Sequence, residues 1–373
     1  MPRRRHKTPT RLAIAALTAA QAIVLRHRPR GTPTRVLVSL YFEGLGDILL
    51  LTPLIAALHA LYPTATIILT MPEAYVPLYD RHPYNVTAVA YDRHDIKTLW
   101  SLKRNGPYDL AIVPLANRQA WLARAVGARW IRGFVGDRWY YRLPIDELVP
   151  YPKSIVPFSD MWTELAGGRV DARYDKADWP MPPLTQNCVI QGPYVVLHLA
   201  ASSAVRNWEP DHWAQLAAML AERGFTVALT TGANQSDLIQ EIDPHGRYRH
   251  YPGTLSLTEL WHLLSGARLL VVPDTGIAHL AKLTQTPTVV LFGQCDPALY
   301  DPGRFWAGMP YRAVAVAGVA CRDQAWFTDR PGVLGNLKRC MRSLADCHQD
   351  RVCMRSLAAD TVMGAAQELL DLK

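Results

Sequence analysis

The chain has 373 residues, too many for one ordinary hydrophobic core and about right for two domains. Hydrophobic residues make up 49% and charged residues 19%, the balance of a globular protein, which excludes a disordered chain and a polytopic membrane protein. The net charge is +8, but residues 1–35 hold nine Lys or Arg and no acid, so the body sums to −1 and offers no broad basic face for nucleic acid.

Residues 1–34 read as a basic, apolar leader. Leu12 to Leu25 is apolar apart from Thr18 and Gln21, with Arg3, Arg4, Arg5, Lys7 and Arg11 before it and Arg26, Arg28 and Arg30 after it. As a helix this stretch would be only about 21 Å long against roughly 30 Å of hydrocarbon, so it is not expected to span a membrane. A signal peptide would place its cleavage site at Ala20-Gln21-Ala22, but the apolar run continues through Ile23, Val24 and Leu25. The favoured reading is a helix resting on an anionic membrane surface, where each nearby base contributes about 1 kcal/mol. A disordered basic leader is the alternative.

From Arg35 the pattern alternates. RVLVSL (35–40) reads as a strand, YFEGLG (41–46) as a glycine turn, and the apolar stretch from Asp47 to Pro63 as a helix. Further strands are expected at Thr66–Thr70, Asn85–Tyr91 and Asp109–Pro114, with a helix at Gln119–Val126. This rhythm implies βαβ units and a parallel sheet for residues 35–175. It fails after Pro144, and Pro180, Pro182 and Pro183 mark a linker at 176–193. It resumes at YVVLHL (194–199), with strands at Phe225–Thr231, Arg268–Pro273 and Pro287–Phe292 and helices at Asp211–Arg223, Leu257–Gly266 and Thr275–Leu283. The second domain then runs over 194–357, and residues 358–373 close the chain as a helix. Two doubly wound α/β domains in series bind ligand in a cleft facing the carboxyl ends of their strands.

Three stretches carry chemistry. In VVPDTGIAHLAKL (271–283) an apolar strand runs into a helix through Asp274-Thr275-Gly276. Asp274 stands where an N-cap belongs, the first-turn amides make a diphosphate site, and Thr275 and His279 share a helical face. Capping and packing alone would explain the same residues. In HLAASSAVRNWEPDHW (198–213) the hydroxyls of Ser202 and Ser203 and the Arg206 guanidinium suit phosphate oxygens, or serve as ordinary turn residues, while Trp208 and Trp213 are expected in the core. In Glu43-Gly44-Leu45-Gly46-Asp47 two glycines without a third make a weak dinucleotide fingerprint, and Asp47 is a candidate general base or an N-cap. The absence of a complete GxGxxG disfavours an NAD-dependent oxidoreductase. The arginines Arg118, Arg124, Arg129, Arg132 and Arg138 could meet an anionic acceptor or form a solvated face.

Six cysteines (Cys188, Cys295, Cys321, Cys340, Cys347, Cys353) are too few for a disulfide scaffold and fit a reducing compartment. The last three fall in a duplication, CMRSL at 340–344 and again at 353–357. With Cys321 they could make a four-thiolate metal site, but no CxxC spacing is present and reduced thiols are preferred.

In this order, EGLGDILLLTPLIAAL, HLAASSAVRNWEPDHWAQLA, PDTGIAHLAKLTQTPTVVLFGQCDP and RVCMRSLAADTVMGAAQELL resemble the lipopolysaccharide heptosyltransferases, glycosyltransferase family 9, over residues 35–372. The resemblance implies a GT-B fold, two Rossmann-like domains facing a central cleft, and an inverting transfer from an ADP-heptose-like donor with no cofactor and no metal. It matches Asp47 to the catalytic base, with Gly44 and Gly46 in the acceptor-side loop. It matches Ser202, Ser203, Arg206, Asp274, Thr275, Gly276 and His279 to donor contacts, and Leu255 to an apolar residue beside the base of the nucleotide. Arg206 replaces a more usual lysine, the loop Ala200–Val205 is one residue longer than in some members, and GQCDP (293–297) replaces GPTDP. The acceptor implied is a lipid-linked oligosaccharide such as lipopolysaccharide core, at the cytoplasmic face of a membrane. A glycosyltransferase using another nucleotide sugar, a nucleotide-sugar 2-epimerase, and a GT-B binding protein without catalysis are the alternatives.

Overall fold

The computed structural model describes residues 12–18, 31–40, 44–114, 118–135, 139–184, 190–323, 339–340 and 342–372. The rest of the leader, with its Ala20-Gln21-Ala22 triplet and its eight bases before Arg35, lies outside the described residues, as do Glu43, Arg138 and Cys188. The chain forms two compact units: the first runs through Lys153 and takes in Phe158–Pro180, and the second holds Ser154–Pro157 and most of the chain from Met181 onward. Among the described residues no helix is long and apolar enough to cross a membrane.

Unit 1 is built on six parallel strands, β1 (Arg35–Val38), β2 (Thr66–Met71), β3 (Val86–Ala90), β4 (Tyr108–Val113), β5 (Ala128–Phe134) and β6 (Glu147–Val149), in the order β3-β2-β1-β4-β5-β6. Strands β1 and β2 are almost wholly apolar because helices cover both faces of the sheet; Val36, Leu37 and Val38 of β1 are fully buried. The helix expected from Asp47 to Pro63 is two helices, α1 (Leu45–Leu49) and α2 (Thr52–Leu61). Pro53 has no N–H for the Leu49 carbonyl four residues back, so the ladder breaks there. The Thr52 hydroxyl donates to that carbonyl instead, at 2.6 Å. Other helices of the unit are α3 (Ile96–Arg104), α4 (Arg118–Ala125) and α5 (Trp139–Arg142).

Unit 2 repeats the plan with β7 (Tyr194–His198), β8 (Thr226–Thr231), β9 (Arg249–Pro252), β10 (Leu269–Pro273), β11 (Thr288–Phe292) and β12 (Tyr311–Ala315), all parallel, in the order β12-β11-β10-β7-β8-β9. Its helices include α6 (Pro210–Glu222), α7 (Leu257–Ser265), α8 (Gly276–Thr284) and α9 (Ala359–Leu370). The core on one face joins Trp208, Trp213 and Leu216 to Val362, Ala366 and Leu369 of α9. The Trp208 indole N–H donates to Leu357 O at 2.8 Å, which ties the chain end to the loop after β7. Both tryptophans are buried, so they belong to the core as their sequence setting indicated.

Strand order decides where a ligand can bind. In each unit the chain winds outward one way and then the other, from β1 and β4 in the first and from β7 and β10 in the second. A crevice opens at the carboxyl ends of such a strand pair because the two following loops diverge.

Candidate functional site: two loops at the switch point of unit 2

The loop after β7 and the loop after β10 flank the crevice of unit 2, since Val195, Val196 and Leu197 lie in register beside Leu269, Leu270 and Val271. The first loop is held by its own bonds: Asn207 Oδ1 accepts from Ala201 N at 2.9 Å, Gln235 Nε2 donates to Ala201 O at 2.9 Å, and Val205 is buried. The Arg206 side chain is thereby directed onto the second loop. Its Nη1 donates to Asp274 O at 2.5 Å and lies 3.8 Å from Asp274 Oδ2, while Nη2 donates to Ser202 Oγ at 2.9 Å. The buried Nε has no partner among the described residues. Ser202, Arg206 and Asp274 therefore form one cluster. Ser203 heads the 3-10 turn that carries Arg206, its carbonyl accepting from Arg206 N at 2.9 Å, while its side chain makes no capping bond.

Asp274 is not the N-cap its position suggested. Thr275 caps α8, its Oγ1 accepting from Ile277 N at 3.3 Å, and the Asp274 N–H is used by Leu291 O at 3.0 Å. The reason is that β10 continues through Pro273 and keeps Asp274 in the sheet's hydrogen bonding, so the first residue free to cap is the next one. The carboxylate of Asp274 is left to face Arg206 and the Cys295 thiol. The α8 N-terminus, with Gly276 in its first turn, presents its amide end beside them.

His279, one turn further, is buried, its Nδ1 without a partner among the described residues and its ring 5.7 Å from that of Tyr300. Burial, aided by the Lys282 ammonium, holds its pKa well below the usual histidine range, so it is a neutral imidazole at pH 7. Leu255 is half-buried in the loop after β9, followed at once by the Ser256–Glu259 capping box that starts α7, and makes no part of the Arg206 cluster.

Three residues of this region gave no signal in the sequence. Lys282 is buried, its Nζ donating to Tyr300 O at 2.8 Å and lying 5.1 Å from the Trp306 ring centre, so it pins the segment after β11 against α8. Tyr300 receives Arg339 Nη1 on its hydroxyl at 3.3 Å. Cys295 is fully buried and hydrogen-bonds the Asp274 side chain; burial, then that carboxylate, pushes its thiol pKa up. Lysine, tyrosine and cysteine at these places resemble surface or filler residues until the fold brings them together.

In unit 1, Asp47 sits in the first turn of α1, at the carboxyl end of β1 and next to the switch point with β4. Gly44, not Asp47, occupies the N-cap position. The Asp47 carboxylate folds back over it: a Cβ built at Gly44 would stand 2.6 Å from Oδ2. Gly46 lies within α1 and its carbonyl accepts from Leu50 N at 2.9 Å.

The arginines offered to an anionic acceptor are mostly committed to the fold. Arg124 is buried and donates to Ala128 O, Pro144 O and Asp146 Oδ2, and Arg132 is buried against Leu165 O, Ala166 O and Glu147. Arg129 pairs with Asp109 at 3.2 Å. Arg124 and Arg132 donate to backbone carbonyls and Arg129 to a carboxylate, roles invisible in sequence. Arg118 remains exposed.

Cys321 and Cys353 are raised above the usual thiol range, Cys353 to about 11, first by burial and then by neighbouring thiols of the same group. Among the described residues no group of three or more His, Cys, Asp or Glu is arranged to hold a metal, so the four-thiolate reading has no geometry behind it there.

Two doubly wound parallel sheets, with a guanidinium and a helix N-terminus meeting at the switch point of the second, are the architecture of a GT-B glycosyltransferase. The chain belongs to glycosyltransferase family 9 (heptosyltransferase), whose profile matches residues 98–311, more than half of its length. It is 26% identical to lipopolysaccharide heptosyltransferase 1 of Pseudomonas aeruginosa, over 80% of this chain and 90% of that protein. It is 27% identical to a lipopolysaccharide heptosyltransferase 3 of Escherichia coli, over 77% of this chain and 93% of that one. Among solved structures, the E. coli heptosyltransferase WaaC with ADP shares the fold with a TM-score of 0.66 at 17% identity, covering 90% of this chain and 99% of that one.

Proposed function

We propose that the protein transfers a heptose from an ADP-sugar to a hydroxyl of a lipid-linked oligosaccharide of the lipopolysaccharide-core type, by a single inverting displacement that needs neither metal nor cofactor. The observation that carries this reading is the cluster of Arg206, Ser202 and the α8 N-terminus at the unit 2 switch point, a preorganised site for a diphosphate. The relatives' names, lipopolysaccharide heptosyltransferases 1 and 3, support the sugar and the acceptor class, and the ADP bound to the E. coli structure supports the nucleotide.

In the proposed step Asp47 takes the proton of the acceptor hydroxyl as its oxygen bonds to the anomeric carbon. The bond from that carbon to the diphosphate oxygen breaks and ADP leaves with the electron pair. Negative charge grows on the departing diphosphate, where Arg206 and the α8 amides are already oriented and need no reorganisation. These groups supply the positive field that a metal supplies elsewhere. Asp274, held between Arg206 and Cys295, is an acceptor for donor hydroxyls, and neutral His279, Thr275 and Gly276 line the same end of α8. Leu255 packs beside the base. An enzyme that consumes a nucleotide sugar in this way acts on the cytoplasmic side of the membrane that carries its acceptor.

The test is calorimetric titration with ADP, UDP, GDP and NAD, set beside turnover assays. Selective ADP binding is expected, lost in Asp274→Ala and in Arg206→Ala, while Asp47→Ala binds ADP normally and turns over at least about a thousandfold more slowly. Preference for UDP or GDP would overturn the ADP-heptose assignment, and full turnover in Asp47→Ala would overturn the base.

A further inference from the structure

Unit 1 holds a cavity on the side of its sheet away from Asp47. Its volume is about 320 Å³, within the range that takes a small ligand. It is lined by the C-terminal half of α2, by Tyr84 and Asn85 just before β3, and by Ala172, Arg173 and Asp178. Helix α2 ends at Leu61 shortly before β2 starts at Thr66, and β3 starts at Val86, so the cavity lies at the amino ends of these parallel strands. Asp47 follows the carboxyl end of β1, and strands of this length set the two edges roughly 17–20 Å apart.

Rings and methyl groups wall the cavity. Ala56, Ala60 and Ala172 contribute the methyls, and the His59 and Tyr84 rings meet edge to face with centroids 6.2 Å apart. His59 Nδ1 is buried with no partner among the described residues, so packing holds that ring in place. Tyr84 is fixed from two sides. Its ring stands edge-on to that of the buried Trp179 at 6.5 Å, whose indole N–H donates to Leu78 O at 3.2 Å, and its hydroxyl donates to Asp178 Oδ2 at 3.5 Å. Burial, then the Asp178 carboxylate, raises the pKa of this phenol, so it is a neutral donor at pH 7.

The backbone that presents Tyr84 is strained. His82, Tyr84 and Asn85 have φ of 50°, 50° and 58°, the left-handed region that residues with a Cβ rarely adopt. Three bonds hold it there: His82 Nδ1 donates to Val86 O at 2.8 Å, Asn85 Nδ2 to Ala65 O at 2.7 Å, and Asn85 N to His82 O at 3.0 Å. Strain of this kind persists where the surroundings over-determine it, and it clusters at ligand clamps. Here its result is an aromatic ring and a hydroxyl set at the wall of a cavity.

The charges beside the cavity select the ligand. Arg173 and Asp178 both line it and are exposed, and Arg173 has no ion-pair partner among the described residues. Residues 172–178 hold two acids and two bases, so neither an anion nor a cation is favoured as a whole. A neutral ring bearing hydroxyls satisfies both signs. Its hydroxyls donate to the Asp178 carboxylate and accept from the Arg173 guanidinium, while its C–H face packs on the Tyr84 and His59 rings. We infer that this cavity binds one pyranose ring of a neutral sugar, and that it holds a part of the oligosaccharide acceptor remote from the reacting hydroxyl; the second clause rests on the proposed transfer, the first does not.

The experiment is saturation-transfer NMR of the full chain with methyl α-D-mannopyranoside, methyl β-D-glucopyranoside and methyl α-D-galactopyranoside, each with and without saturating ADP. Transfer to at least one pyranoside is expected, unchanged by ADP. Asp178→Ala, at an exposed position, should weaken binding at least about fivefold, and Ala172→Trp, which fills the cavity, should abolish it. A thermal transition within about 2 °C of wild type shows that each variant is folded. No transfer to any of the three, transfer equal to wild type in either folded variant, or competition by ADP would each overturn the inference. Transfer to glycine or phosphoethanolamine in place of the pyranosides would overturn it as well, because the occupant would then be a zwitterion. In turnover assays Asp178→Ala should raise KM for the oligosaccharide acceptor by a larger factor than it lowers kcat, and an unaltered KM would overturn the second clause. Failure of the wild type to bind ADP would overturn the donor assignment and leave the pyranoside result standing.

Discussion

At the scale of single residues, the candidate catalytic aspartate depends on a neighbour with no side chain. Gly44 has φ −71° and ψ 142°, extended backbone that any residue adopts, so its use lies in the close approach of Asp47 Oδ2 rather than in backbone freedom. Gly44→Ala is therefore expected to leave the melting temperature within about 2 °C of wild type, while kcat falls by roughly ten- to a hundredfold because the carboxylate must swing away. A large drop in stability with unchanged kcat would mean that the glycine serves the fold alone. Asp274 shows the reverse case. Its residue type pointed to the right loop, but its partners, Arg206 from another loop and Cys295 from a third, are separated from it by 68 and 21 positions in sequence, and no local pattern reports such pairs.

At the scale of elements, legibility followed burial. Strands β1, β2, β7, β10 and β11 are buried on both faces and read as plain apolar runs. The strands without a sequence signal are β5, β6, β9 and β12. Three of these, β6, β9 and β12, are sheet edges whose residues are almost all half-buried or exposed, so their composition is that of loops. Strand β5 is central but carries Arg129 and Arg132, whose charges are matched by Asp109 and Glu147 from β4 and β6. The break between α1 and α2 was written in Pro53, yet the compensation by Thr52 needed coordinates. Thr52→Val, nearly isosteric, should cost about 1–3 kcal/mol by leaving the buried Leu49 carbonyl without its donor, seen as a drop of several degrees in the thermal transition of unit 1.

For the whole molecule, two buried histidines set an acid limit on stability. Burial lowers His198, at the end of β7 with Nδ1 on Thr230 Oγ1 at 2.9 Å, to about 4, and His279 is shifted in the same direction. Both are neutral in the folded protein, whereas in the unfolded chain they take up protons below about pH 6.5. The unfolded state then binds more protons, so stability is complete above pH 6.5 and is lost as the pH falls toward 4, by on the order of 1.4 kcal/mol per pH unit for each histidine. Thermal unfolding followed from pH 7.5 to 4.5 should show this decline, and His198→Gln should shallow its slope by about one proton. An unchanged slope would remove His198 from the account.

By itself the sequence determined the class of the molecule: two α/β units, the order of their buried strands, the loops that bear chemistry and the resemblance to a heptosyltransferase. These follow from composition and short-range periodicity, which a linear text carries because each strand and helix is specified by its own side chains. Tertiary structure decided which residues of those loops meet. It gave the capping of α8 to Thr275, set Arg206 against Asp274, committed Arg124 and Arg132 to backbone carbonyls, and brought Tyr84 to Asp178. Such choices depend on the distance between groups remote in sequence and on the burial that makes each hydrogen bond obligatory, and both exist only once the sheets have assembled.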